Sequence, residues 1–194
     1  MSSTAKIIDS TLESPCIVHE GATIVRSVTG RFFGLGLFSF VADCDVGSFC
    51  TFGSRCSIGA FSHPLTLFSC HEIAYRDTTK IYGETMLRTE ELEPIRRNRT
   101  SIGHDVYVGD NVVIIGGVTI ETGAVIGAGS VVTGDVESYS VMVGNPARKL
   151  RRRFDDELCD ELYQSKWWEW SLEEIRTRFA TTSIGPLRYR SYAD

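Results

Sequence analysis

Two stretches of this chain read in sixes: 46-VGSFCTFGSRCSIGAFSH-63 and, in the same phase, 102-IGHDVYVGDNVVIIGGVTIETGAVIGAGSVVTGDVE-137. An aliphatic or aromatic residue opens each unit: Val46, Phe52 and Ile58, then Ile102, Val108, Ile114, Ile120, Ile126 and Val132. Gly follows in many units. The fifth place is small or β-branched, as at Cys50, Cys56, Val106, Val112, Val118, Ala124 and Val136. A fixed short period dictates a fold before local propensity does.

A hexapeptide beat is the signature of a parallel β-helix, each short strand forming one side of a coil. The opening residue points inward and stacks on its counterparts. The next residue makes the corner, where backbone freedom is needed. The unit resembles the left-handed hexapeptide β-helix, in which three hexapeptides close one triangular coil; the handedness comes from that resemblance. Extending the phase back from Val46 puts Phe40, Gly34, Val28, Ala22 and Cys16 inside. That predicts about five coils, the first ones irregular.

Two interruptions give the chain its individuality. The beat stops after His63 and returns at Ile102, leaving 38 residues, 64–101, as an inserted loop. Loops beyond about 15 residues are uncommon and often functional. After GNPARKL, residues 144–150, a helical tail is expected: Phe154, Leu158 and Leu162 recur at helical spacing. Ser171 and Glu174 read as a capping box for a second helix with Leu172, Ile175 and Phe179 as its stripe. Trp167, Trp168 and Trp170 supply aromatic surface for packing on the solenoid's open end. The expected organisation is one domain, 1–194: first coils 16–63, inserted loop 64–101, last coils 102–149, helices 150–194.

A chain of 194 residues supports one core. No twenty-residue apolar stretch predicts a membrane span. MSSTAKIIDS lacks an apolar signal core, so a cytoplasmic protein is expected. The net charge of −5 and the lack of a matching motif argue against nucleic acid as a partner. Cys44, Cys50 and Cys56, spaced by six, read as buried reduced thiols, and no CxxC pair argues for a metal.

The unit IGAFSH ends on His63, at the edge of a regular wall beside the long loop, a good place for acid–base work. FCTFGSRCSIG running into a turn that ends in His-Pro, SIGHDVYVG at 101–109, GNPARKL at 144–150 and RRRFDDEL followed by KWWEW together carry a resemblance. The chain resembles the hexapeptide acyltransferases, in particular the xenobiotic (streptogramin- and chloramphenicol-type) acetyltransferase branch and related polysaccharide O-acetyltransferases. The match covers about residues 40–180.

The resemblance implies a homotrimer that uses acetyl-CoA and no metal, with direct acetyl transfer to a hydroxyl and His63 as general base. It places the coenzyme on Tyr107 (where this branch usually has Trp), Asp110, Ala128, Thr133, Arg148 and Arg151. Lys149 belongs to the same basic run, which puts five positive charges into positions 148–153 and suits phosphates. Phe61, His71, Tyr75 and Tyr82 are candidates for the acceptor pocket. The group orienting His63 stays open among Asp43, Asp45, Glu72 and a backbone carbonyl. PLTLFSCHEIAY, residues 64–75, lacks the aromatic-rich Ser-Thr-Pro-Phe signature of antibiotic acetylators, which favours a carbohydrate hydroxyl, as in surface polysaccharide or a sugar precursor. An antibiotic hydroxyl, a sugar amine and a non-catalytic β-helix scaffold are the alternatives. The zinc carbonic anhydrases built on this β-helix need three histidines, and His104 is followed five residues later by Gly109 rather than His.

Overall fold

A computed structural model describes residues 4–60, 63–85 and 98–180. The chain divides after Arg153 into a solenoid unit and a C-terminal helical unit. The solenoid is a left-handed parallel β-helix with three walls. The first wall stacks β1 (Lys6–Ile8), β4 (Thr23–Val25), β7 (Phe40–Ala42), β10 (Ser57–Ala60), β13 (Val113–Ile115) and β16 (Val131–Val132). The second stacks β2 (Thr11–Leu12), β5 (Val28–Thr29), β8 (Cys44–Val46), β11 (Thr100–Ile102) and β14 (Thr119–Ile120). The third stacks β3 (Cys16–Val18), β6 (Phe33–Leu35), β9 (Thr51–Phe52), β12 (Tyr107–Val108), β15 (Val125–Ile126), β17 (Ser140–Val143) and β18 (Arg148–Arg152). Every pairing is parallel except β17 with β18.

From Val46 onward the inward column is the predicted one. Phe52, Ile58, Ile102, Val108, Ile114, Ile120, Ile126 and Val132 are all buried, and so are the fifth-place residues Cys50, Cys56, Val106, Val112, Val118, Ala124 and Val136. Before Val46 the extrapolated phase is wrong. Val28 is 49% exposed and Phe40 37%, while Thr29, Leu35 and Val41 point inward instead. Of the extrapolated residues only Ala22 is buried. Successive strands of the early coils pair at an offset of 17 residues, as Thr23↔Phe40 and Val28↔Asp45, where the middle coils repeat at 18, as Ser101↔Thr119, and the last pairing, Val125↔Val141, at 16. One side of each early coil is a residue short, and because side chains alternate across a strand, a one-residue slip exchanges inside for outside. The coils also begin at Lys6 rather than 16, and the first wall has six strands where five coils were expected.

The shortened side lies at the corner between the first and second walls, where Asp9, Arg26 and Asp43 take positive φ. Non-glycine residues in that region are strained unless their surroundings hold them. Here Arg26 forks onto Asp43 with two bonds of 2.7 Å, coil to coil. The 38-residue insertion leaves from this same corner, between β10 and β11, so pairing across it jumps 56 residues: one 18-residue coil plus the insertion.

The solenoid's last strand, β18, runs to Arg152, past the expected boundary at 149. In the C-terminal unit α1 (Asp156–Ser165) is capped by Asp155, whose carboxylate accepts from Leu158 N at 2.9 Å. The capping box of α2 (Leu172–Ala180) is present: Ser171 Oγ accepts from Glu174 N at 3.2 Å, and Glu174 Oε2 accepts from Ser171 N at 2.9 Å.

Candidate functional site

The insertion is bolted at its return. Arg99 donates from Nε to Asp45 Oδ2 (2.7 Å), from Nη1 to the Arg26 carbonyl (2.9 Å) and from Nη2 to the Cys44 carbonyl (3.1 Å). Hydrogen bonding from Arg99 holds the Asp45 carboxyl below its usual range. Thr100 then enters the second wall beneath Cys44. Asp43 and Asp45, two candidates for orienting His63, are thus engaged by arginines of the corner. Glu72, a third, accepts from Arg76 Nη1 and from the Tyr82 hydroxyl, both at 3.0 Å.

The fourth candidate is the one found on the imidazole: His63 Nδ1 lies 2.9 Å from the Cys70 carbonyl oxygen. The Tyr75 hydroxyl lies 2.7 Å from the same nitrogen. A carbonyl can only accept, so this geometry assigns the proton to Nδ1 and the lone pair to Nε2. A short 3-10 turn, Glu72–Ala74, separates Cys70 from Tyr75. His71 caps it, its Nδ1 accepting from Ile73 N at 3.2 Å, and Ala74 anchors it by burial. The His71 and Tyr82 rings lie 5.6 Å apart. Phe61 lies outside the described residues.

Of the expected coenzyme residues, the structure brings three together. Thr133, Arg148 and Lys149 line a cleft of about 260 Å³ with Gly134, Asp135 and Met142. Lys149 also pairs with Glu137 at 2.6 Å. Arg151 lies exposed on β18, opposite Val141. Tyr107 is half exposed on the third wall, between Thr51 and Val125, and borders a different cleft, of about 140 Å³, with Phe49, Asp105 and Arg153. Asp110 Oδ1 accepts from Ser54 N at 2.7 Å, tying one coil's corner to the next. Ala128 is exposed at the corner above Gly109, so close that a Cβ on Gly109 would sit 2.7 Å from Ala128 N.

Arg153 belongs to the basic run in sequence but is a bracket in space. It pairs with Asp105 (2.8 Å), donates to the Gly123 carbonyl (2.9 Å) and lies over the Tyr139 ring. Burial pushes the Asp105 carboxyl above its usual range, with Arg153 pulling against it. His104 accepts from Ser48 N at 3.0 Å through Nδ1, a corner-to-corner link. Among the described residues no group of three His, Cys, Asp or Glu side chains is arranged to hold a metal ion, and no helix is long and apolar enough to cross a membrane.

Three parallel walls with an inward hexapeptide column, interrupted by one long loop that carries an oriented histidine, define a hexapeptide β-helix with a candidate acid–base site. Residues 99–134 match the family model for the bacterial transferase hexapeptide (six repeats). Over those residues the chain carries this family's repeat, and it spans about three fifths of the length of the first curated relatives it matches. It is 36% identical over 134 residues to a chloramphenicol acetyltransferase of Klebsiella aerogenes, an alignment covering 68% of this chain and 61% of that protein. In fold it is similar to the N-acyltransferase AntD of Bacillus cereus, solved as a mutant with dTDP and coenzyme A: TM-score 0.63, 15% identity, 85% of this chain and 87% of that one. It is also similar to a perosamine N-acetyltransferase of Caulobacter crescentus, solved as a mutant with CoA and GDP-perosamine: TM-score 0.55, 20% identity, 77% and 54%.

Proposed function

We propose that this protein is an acetyl-CoA-dependent O-acetyltransferase that works as a cytoplasmic homotrimer, with His63 as its general base and a carbohydrate hydroxyl as its acceptor. The observation that carries the reading is the Cys70 carbonyl on His63 Nδ1, which puts the imidazole lone pair on Nε2. An alcohol is a poor nucleophile at neutral pH. As its oxygen bonds to the thioester carbonyl carbon, Nε2 takes its proton. As the C–S bond then breaks, the imidazolium returns that proton to the departing thiolate. A base so placed contributes about 10²- to 10⁴-fold. Thr133, Arg148 and Lys149, which share one cleft, fit the phosphates of the coenzyme: one hydroxyl donor, one fork and one point charge.

The polar set Glu72, Arg76, Tyr82 and His71, on the segment whose Cys70 and Tyr75 hold the base, supports a hydroxyl-rich acceptor. An antibiotic hydroxyl is the second reading, supported by the 36% identity to a chloramphenicol acetyltransferase. Six free cysteines fit a reducing compartment. The test is thiol release from acetyl-CoA against panels of sugars and antibiotics, with wild type and His63→Ala. The expected result is turnover on a sugar, a loss of at least about 10²-fold in the variant, and unchanged coenzyme binding. Equal rates in both proteins would remove His63 as base. No turnover on either panel, with no coenzyme binding, would leave the scaffold.

A further inference from the structure

We propose that Tyr75 is a positioning residue for His63: its phenol oxygen shares the Nδ1 proton that the Cys70 carbonyl fixes, and it steadies the ring as Nε2 takes up a proton. The inference rests on the reading of His63 as the base.

Two oxygens converge on one nitrogen, Cys70 O at 2.9 Å and Tyr75 Oη at 2.7 Å. Were Nδ1 bare, the tyrosine could donate to it, but the carbonyl would then face a lone pair at 2.9 Å. With the proton on Nδ1 both oxygens accept, and no contact is repulsive. The rings meet edge to face, 82° apart with centroids at 6.0 Å, so the same side chain limits imidazole rotation.

Tyr75 is itself held. It closes the 3-10 turn, its N–H donating to the Glu72 carbonyl at 3.1 Å. Glu72 is tied in turn to Arg76 and Tyr82. The turn thus brings a carbonyl from its front and a phenol from its back onto the histidine. When His63 takes a proton, Nδ1–H becomes a charge-assisted donor and both bonds strengthen. Tyr75 therefore acts mostly on the transition state, where positive charge grows on the ring, and its loss should appear in kcat rather than KM.

The test is Tyr75→Phe, which keeps the ring and removes the oxygen. In ¹⁵N-histidine spectra of the whole protein, with the His63 signals assigned by their absence in His63→Ala, the wild type should show a protonated Nδ1 and a bare Nε2. In Tyr75→Phe the Cys70 carbonyl still keeps the proton on Nδ1, so the tautomer should stay while the Nδ1–H proton signal moves upfield with the lost bond; kcat should fall about tenfold and both KM values stay within about twofold, the loss expected for one hydrogen bond to a charged group. An unchanged Nδ1–H signal and kcat in Tyr75→Phe would overturn the proposal. So would a wild-type His63 with its proton on Nε2, a measurement that does not depend on the folding of Tyr75→Phe. Failure of the base reading looks different: His63→Ala would then turn over like wild type, whatever the spectra of Tyr75→Phe.

Discussion

Cys44 and Cys50 sit in an interior that has room for a thiol and none for its charge. Burial pushes both thiols up to about 12 from an ordinary 9.0. The Cys50 thiol donates to the Gly103 carbonyl and the Cys56 thiol to the Gly109 carbonyl, each at 3.1 Å, so the column is bonded along the solenoid axis as well as packed. A pKa raised by folding contributes stability that is complete below the unfolded value. It is lost as pH climbs from there toward the folded one. The protein should therefore lose stability between about pH 9 and 12, by about 1 kcal/mol per pH unit for each thiol. Cys44→Val and Cys50→Val should each flatten that loss in thermal melts run from pH 8 to 11. A parallel decline in wild type and both variants would sink the explanation. In the native protein at pH 8, a thiol reagent should label exposed Cys70 well before Cys44, Cys50 or Cys56. The burial of Cys50 and Cys56 was legible in the sequence, because the fifth place of the repeat dictates it. The contact of Tyr75 with His63 was not: Tyr75 read as pocket lining, and no periodicity relates two residues across an irregular turn.

At the scale of the element, the corner decides which glycines the fold requires. A Cβ on Gly36 would lie 2.5 Å from the backbone carbon of Gly53 in the next coil, and one on Gly103 would lie 2.5 Å from Thr122 N. Backbone cannot move aside without parting the coils. Gly34, in the middle of β6, is different: its nearest neighbours would be Thr51 side-chain atoms at 3.8 Å. Gly36→Ala should therefore cost more than about 2 kcal/mol, and Gly34→Ala should be neutral or stabilising by about 0.5 kcal/mol through the unfolded chain. Urea unfolding of the two variants checks this, and equal losses would refute the distinction. The same corners explain what the sequence hid. The hexapeptide step is readable only while each coil spends 18 residues. In the early coils, at 17, the inward set shifts by one at every pass through the corner of Asp9, Arg26 and Asp43, and those residues carry no motif that marks a left-handed turn. The capping box was readable because its two side chains lie three residues apart and need nothing distant. Ser171→Ala should loosen α2 by about 1 kcal/mol, seen as faster amide exchange over 172–178. Unchanged exchange would mean that the helix is held by other contacts.

For the whole molecule, the proposed assembly and coenzyme make one linked prediction. The early coils present Ile8, Ile17, Val28, Phe38 and Phe40 outward, each more than a third exposed in the single chain. Apolar surface of that kind is a burden on a monomer and an asset at an interface. If the coenzyme lies between subunits, its binding and the assembly stabilise the same folded state, and each raises the midpoint by mass action. At a hundredfold excess over its dissociation constant acetyl-CoA should add about 2.7 kcal/mol, a rise of roughly 5–10 °C for a chain of this size. Sedimentation should give three times the chain mass, and the midpoint should climb with protein concentration even without coenzyme. Substituting Arg148 and Lys149 by Gln should reduce the acetyl-CoA shift while leaving the concentration dependence intact, because the apolar residues offered for assembly lie on the early coils, away from this cleft in sequence. A full shift in that double variant would move the phosphates elsewhere on the surface. No shift in wild type at millimolar acetyl-CoA, with a trimer by sedimentation, would show that the β-helix assembles for a purpose other than acetyl transfer.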